Sequence, residues 1–409
     1  MPYPMGYWST KPLGPDSLSM AKDWEDLGFT LPIAPHYDPA KGNKQVMIDL
    51  LDAIYSKGMK TIITDARSHW RVLAEKGEAA YREGYAAMLK DFGGHPAVFG
   101  FHVGDEPNAE NFENACRAVA IQEEMSPGHT AYLNLLPWHY GIEDRTGYMD
   151  FNKYLDDYIK KSGTKLISYD CYSQMNPGES GFDMYFNNLR MFWQAGLRNK
   201  VPFYTILLGI GHFNYRVPSF DDIRWQLSTA AAHGAKGILW FYIYQFDYSL
   251  SNYRNAAINE RGRRTELFYD IADNNKTFLD TYGETLLRLT LDHVWHFGRC
   301  YGGFPLFNPD ETTKMLTTTN DCPLILSYFT SDTGEKFAML VNNSVDKNSL
   351  ARLTLRGNKK ISMCYGGNEI REVKTSQDSP FIERSGGLTS VGHWLSPGQA
   401  ILLKYEDAS

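Results

Sequence analysis

The 409 residues, 43% hydrophobic and 22% charged, can bury a large core, which excludes wholesale disorder and suits one barrel of about 250–300 residues plus an appended domain. A net charge of −7 with no basic stripe excludes nucleic acid held by its phosphates. Five scattered cysteines without a CxxC, and no apolar run near the roughly 18 residues of a membrane span, exclude a zinc ribbon, a dense disulfide framework and a membrane partner.

From the first residues to about Leu289, short apolar strands alternate with amphipathic helical stretches. Strands are predicted at 4–8, 29–38, 60–67, 97–107, 130–136, 165–172, 201–211 and 236–246. Between them, helical spacing is predicted over 17–28, 44–58, 78–92, 108–124, 151–163, 182–196 and 220–234, with a last helical region at 265–289. Gly28, Gly58, Gly163, Gly196 and Gly234 stand where helix C-caps are expected. Eight alternating pairs predict an α/β fold, a (β/α)8 TIM barrel over residues 1–290. The continuous apolar strands fit a sheet covered by helices. The lack of GxGxxG after the first strand speaks against a doubly wound sheet. From 291 to 409, short strand-like runs punctuated by TSDTGE, RGNKK and YGGNE predict a C-terminal antiparallel β-sandwich. The N-terminal MPYPMGYWSTKPLG has neither a basic nor an apolar region. No signal peptide is therefore expected, in a cytoplasmic protein or in a secreted one already trimmed.

Barrel enzymes carry their chemistry at the C-terminal ends of the strands. Polar and aromatic residues concentrate there: Tyr7 and Trp8; His36 and Asp38; Asp65 and Arg67; His102, Asp105 and Glu106; Asn134 and Trp138; Asp170 and Tyr172; His212; Tyr242, Tyr244 and Gln245. Trp240, within the last strand, suits a sugar-stacking wall or the barrel core. Glu106 is the first candidate for a general acid, because Pro107 restrains it and Asp105 beside it raises its proton affinity. The competing reading makes Asp105-Glu106-Pro107 the N-cap of the next helix. The composition is 14% aromatic, and flat rings either fill a core or stack on sugars.

The stretch from His95 to Asn108, HPAVFGFHVGDEPN, resembles strand four of the clan A glycoside hydrolases. The runs from Arg216 to Gln226 and from His233 to Tyr242 resemble the last barrel turn of β-galactosidase-like members. LSPGQAILL, 395–403, is similar to the end of the β-sandwich often appended to them. The resemblance implies a glycosidase with Glu106 as acid/base and a carbohydrate substrate. Two departures stand out. Asp105 occupies the place of an Asn that touches the sugar, and predicted strand seven, FYTILLGIGH, has no carboxylate where the clan places its nucleophile.

Glycoside hydrolysis normally takes a second carboxylate. Asp170, one strand removed from Glu106, is the candidate, at a separation anywhere from about 5 to 9 Å. It could instead bind a hydroxyl or pair with Arg216; Asp65, Asp38 and Asp247 stand in reserve. Trp8, Trp138, Tyr172, Tyr242 and Tyr244 are expected to stack on sugar. His36, Asp65, Arg67, His102, Asp105, Asn134, His212, Arg216 and Gln245 are expected to bind its hydroxyls or an anionic substituent. The histidines lack zinc spacing, so neither a metal nor a cofactor is expected. The longer loops after predicted strands five and six suggest a one-sided pocket and exo action on an oligo- or polysaccharide. The alternatives are a catalytically inactive glycan-binding barrel and a barrel isomerase or lyase, for which no strand end supplies a lysine.

Overall fold

A computed structural model describes residues 1–8, 11–245, 252–374 and 379–408. Seven parallel strands form its first sheet: β1 (Met5–Tyr7), β2 (Thr61–Ile63), β3 (Val98–Asp105), β4 (Thr130–Leu135), β5 (Ile167–Asp170), β6 (Phe203–Leu208) and β7 (Gly237–Phe241). They pair in the order β1-β7-β6-β5-β4-β3-β2, so the sheet curls until its edge strands β1 and β2 approach one another. The expected count was eight. Predicted strand two makes no ladder because Pro32 and Pro35 have no N–H to give. Its backbone is still tied on both sides. Leu31 and Ile33 donate to Met5 and Tyr7 at 2.8 and 3.3 Å, and Ala34 donates to Ile62 at 2.9 Å while Ile62 donates back to Pro32 at 3.2 Å.

Helices cover the outside. In the helix Phe151–Ser162, Phe151, Tyr154, Leu155, Tyr158 and Ile159 are buried on one stripe at three- and four-residue spacing. Its left-handed cap is Gly163, at φ 62°. Gly196 is not a cap. The helix Phe182–Asn199 runs through it and ends on Lys200 at φ 57°. A Cβ on Gly196 would stand 2.6 Å from the Val201 carbonyl, so packing is what requires glycine there.

The rest of the chain is antiparallel: β8 (Leu289–Phe297), β9 (Thr313–Thr317), β10 (Leu324–Ser331), β11 (Lys336–Asn342), β12 (Ser349–Arg356), β13 (Lys359–Tyr365), β14 (Glu369–Glu372), β15 (Phe381–Ser385), β16 (Leu388–Leu395) and β17 (Ala400–Asp407). They form a six-stranded sheet, β14-β13-β17-β11-β10-β8, and a four-stranded one, β15-β16-β12-β9. Leu326, Leu340, Leu353, Val391 and Leu403 fill the space between them. The other face of the six-stranded sheet contributes Ile325, Phe329, Met339 and Leu402 to the same core as the barrel helices. Trp225 Nε1 donates to Asn343 Oδ1 at 2.8 Å across this junction.

Two histidines also meet at the junction. His233 Nδ1 donates to the Thr229 carbonyl at 2.7 Å, and His296 Nδ1 accepts from Tyr301 N–H at 3.3 Å. These bonds fix both tautomers, so His296 Nε2–H donates to His233 Nε2 at 3.3 Å. No helix among the described residues is long and apolar enough to cross a membrane.

Candidate active site

The C-terminal strand ends surround a cavity of about 480 Å³. Its acidic wall is built at the end of β3. Pairing with β4 slips register between His102 and Gly104, and Gly104 takes φ 151°, where a Cβ would stand 2.3 Å from the Trp70 ring. Glu106 then adopts φ 41°, held by its N–H on the Asn134 carbonyl at 2.9 Å. A non-glycine residue in the left-handed region costs on the order of 1–2 kcal/mol. The segment does not cap the following helix, which starts at Phe112 with Asn111 as its N-cap. The strained turn aims Glu106 into the cavity instead.

Asp105, Glu106 and Asp170 are the carboxylates lining the cavity among the described residues. Asn134 Nδ2 donates to Asp105 Oδ1 at 3.2 Å and to Asp170 Oδ1 at 2.9 Å. Glu106 stands within hydrogen-bonding reach of Asp170, and Arg145 Nη2 approaches Glu106 Oε2 at 3.4 Å. Loss of hydration, then the charges of Asp170 and Asp105, push Glu106 up to about 8; Arg145 opposes them. Asp105 opens partly to the cavity, yet crowding by protein and the charge of Asp170 raise it to about 7. Asp170 is also raised by lost hydration, against which Asn134, Tyr172 and Glu106 favour its charged form. All three crowded carboxyls are thus biased toward holding a proton, Glu106 more than Asp105.

Aromatic rings line the rest of the cavity. Phe241 and Tyr242 stack at 4.0 Å, Tyr172 meets Tyr215 edge-on at 5.3 Å, and Tyr253 stands edge-on to Tyr242 at 5.5 Å. Trp8 lines the cavity and rests on the His102 ring at 4.9 Å.

Of the residues expected at the site, Trp8, Asp105, Glu106, Asn134, Asp170, Tyr172, His212 and Tyr242 come together on this cavity. The others lie outside its lining. His102 is buried beneath Trp8, with neither ring nitrogen hydrogen-bonded, and burial lowers it to about 3. His36 pairs through its backbone with Lys11 and Leu13. Asp65 is buried and taken up by Arg67, whose Nε and Nη2 reach it at 3.0 and 2.8 Å while Nη1 holds Asp91 at 2.8 Å. Arg216 chelates Asp222, one bond measuring 2.6 Å, so it is not the partner of Asp170. Asp38 caps a short turn through Ala40 N–H at 3.0 Å. Trp138 packs edge-on against Tyr140 at 5.0 Å. Tyr244 lies against Tyr7 at 5.6 Å.

Gln245 acts at one remove. It donates to the Tyr253 carbonyl at 2.7 Å and accepts from Ala256 N–H at 3.3 Å, which fixes the loop that presents Tyr253. Trp240 is core, its Nε1 donating to Asn275 at 3.0 Å. Asp247 falls outside the described residues. No three His, Cys, Asp or Glu side chains among the described residues are placed to hold a metal ion.

Sequence reasoning missed Arg145, Phe213, Tyr215, Phe241 and Tyr253, all of which line the cavity. Phe241 was legible in principle. If Trp240 points outward, strand alternation turns its neighbour inward. Arg145 arrives on the short helix Glu143–Thr146, for which no motif gives a signal.

No protein-family model matches the sequence, and no curated protein matches it. Solved structures do resemble it in shape. A glycoside hydrolase family 5 protein from Bacteroides vulgatus superposes with TM-score 0.60 at 12% identity, over 99% of this chain and 89% of that one. A family 39 glycoside hydrolase from Bacteroides cellulosilyticus gives 0.53 at 12%, over 99% and 81%. A cold-adapted β-galactosidase from Rahnella sp. R3 gives 0.56 at 11%, over 72% and 58%. The chain thus spans less than two thirds of that β-galactosidase, and 59% of a second from a psychrophilic Marinomonas. At these identities the likeness concerns architecture: a curled parallel TIM-barrel sheet with an appended antiparallel β-domain is the fold this chain shares with glycoside hydrolases.

Proposed function

We propose that the protein is a glycoside hydrolase acting on O-glycosidic bonds of an oligo- or polysaccharide, with Glu106 as acid/base and Asp170 as the second carboxylate. The observation that carries the reading is the carboxyl cluster sharing one cavity with aromatic rings in a glycoside-hydrolase fold. Glu106 retains its proton at neutral pH, as a general acid must. Tyr172, Tyr215 and Tyr242 line the same cavity as Glu106 and offer rings for a sugar to stack on.

Glu106 gives its proton to that oxygen as the bond to the anomeric carbon breaks. Asp170 attacks the same carbon and forms a glycosyl ester. Water, deprotonated by Glu106, then displaces Asp170 and releases the sugar. Each of the two carboxyls acts on the other, which supports placing both at one anomeric carbon. Inverting enzymes keep about 6.5–9.5 Å between the pair to hold a water, retaining ones about 5–5.5 Å. The backbone bonds of residues 31–34 to β1 and β2 support a closed barrel, and the cavity of about 480 Å³ supports cleavage at a chain end.

A second reading, a barrel that binds glycans without cleaving them, is favoured by the absence of an acidic residue from β6 through Arg216. Release of chromophore from a panel of aryl glycosides separates the two. Hydrolysis by the wild type that is lost in a Glu106→Gln, Asp170→Asn double variant is expected. Sugar binding without turnover across the panel would overturn the proposal.

A further inference from the structure

Asn134 meets two of the three carboxyls of the cavity and the backbone of the third. It is buried on β4, opposite Asp105 of β3 and Ser168 of β5. Its two amide hydrogens go one each to Asp105 and Asp170, at 3.2 and 2.9 Å. Its backbone carbonyl takes the Glu106 N–H at 2.9 Å. Its side-chain oxygen accepts from Ser168 Oγ at 3.4 Å, and that hydroxyl is bonded to Tyr132 at 2.7 Å. The amide is thereby oriented with its oxygen toward Ser168. The reverse orientation would aim an acceptor at two carboxylates.

A primary amide does not ionise, and each N–H it donates favours the charged form of the carboxylate that receives it. Asp105 and Asp170 receive one each. Glu106 receives none. We propose that Asn134 is a positioning residue that assigns the proton of the carboxyl cluster to Glu106, by favouring the charged form of the other two carboxyls and by holding its own carbonyl on the Glu106 backbone. The chemical meaning of that assignment rests on the glycosidase reading, but the assignment itself is a property of the free protein.

The other groups acting on the cluster do not distinguish Glu106 in this way. Arg145 faces both Glu106 and Asp105, and Arg71 acts on Asp105. The Tyr172 phenol lies beside Asp170 without a well-aligned bond. The buried Tyr154, on the helix Phe151–Ser162, is uncharged and feels Glu106 only as a neighbouring charge.

The test is a titration of the full-length protein without substrate, carrying glutamate labelled with ¹³C at the carboxyl carbon and read by NMR; loss of a signal in Glu106→Gln assigns the resonance. In Asn134→Leu, which matches the amide in shape, Asp170 and Asp105 should take up protons more readily and relieve Glu106 of their charge. The Glu106 midpoint should then fall by about one unit, a tenfold loss of proton affinity. Asn134→Gln, which keeps the two N–H groups, should recover at least half of that fall. Should Asn134→Leu fail to fold, Asn134→Ser, which keeps a single donor, should give a smaller fall in the same direction. An unchanged Glu106 midpoint in Asn134→Leu, or in Asn134→Ser where Asn134→Leu does not fold, overturns the proposal. Because no substrate is present, a protein that hydrolyses nothing would sink the glycosidase reading and leave this result standing or falling by itself.

Discussion

Replacing Glu106 by Gln should stabilise the fold near neutral pH and leave it unchanged in acid. The native site raises Glu106 from its usual 4.5 to about 8, so the folded chain binds a proton that the unfolded chain has released. Stability contributed by that proton is full below pH 4.5 and is lost as pH rises toward 8. At pH 7 the difference spans about 2.5 pH units at about 1.4 kcal/mol each, an upper figure of about 3 kcal/mol. The Glu106 side chain is 29% exposed, and water at the cavity mouth screens the neighbouring charges, so about 1–2 kcal/mol is the expected net cost. Gln removes this cost because it does not ionise, and its amide can give Asp170 the hydrogen bond that the shared proton supplied. For a chain of this size the gain corresponds to a rise in Tm of about 1–4 °C. Scanning calorimetry of wild type and Glu106→Gln at pH 4.5, 6.0 and 7.5 reads it directly. Equal Tm differences at pH 4.5 and 7.5, or a variant less stable at pH 7.5, would refute the argument that the site holds an unwilling carboxylate.

Asp170→Asn should reduce turnover by at least about 10²-fold, and proton NMR of the first product of the wild type should show the anomer of the substrate; product of inverted configuration would assign Asp170 to activating water instead. The His233–His296 pair should make the junction sensitive to acid. Burial holds His233 to about 4 and His296 to about 2, so below pH 6.5 the unfolded chain takes protons that the native one refuses. Each histidine then withdraws about 1.4 kcal/mol of stability per pH unit until its native value is reached. His296→Gln, which keeps a donor for His233, should flatten the fall in Tm between pH 6.5 and 4.5, and an unchanged slope would count against the pair as its source.

What could be read from the sequence depended on how local the signal was. Glu106 was legible because Gly104, Asp105 and Pro107 mark a strand end, and Asp170 because it closes an apolar run. The strain that aims Glu106 was not, since φ 41° depends on the register slip between β3 and β4 and on the Asn134 carbonyl. Predicted strand two forms isolated bridges rather than a ladder because Pro32 and Pro35 have no N–H, while Leu31, Ile33 and Ala34 still donate to its neighbours. Asp65, Arg67 and Arg216 have the residue types of a sugar site. Their charges are used up in pairs with one another, with Asp91 and with Asp222, and nothing in their spacing announces those partners. Arg145, on the short helix Glu143–Thr146, and Tyr253 reach the cavity along paths set by tertiary packing, as in the Ala109 N–H bond to the Arg145 carbonyl at 2.7 Å. Gln245, expected to bind sugar, supports the Tyr253 loop because its amide meets two backbone groups there.

A general acid matters only when the leaving group needs a proton, and that dependence isolates Glu106 from binding and folding. For the sugar that the aryl glycoside panel selects, kcat/KM is measured with a dinitrophenyl leaving group and with an unactivated alkyl one, in wild type and Glu106→Gln. If Glu106 is the acid, the variant keeps most of its rate on the dinitrophenyl glycoside and loses about 10²–10⁴-fold on the alkyl one. Equal losses on both substrates, or no loss on either, would contradict the assignment.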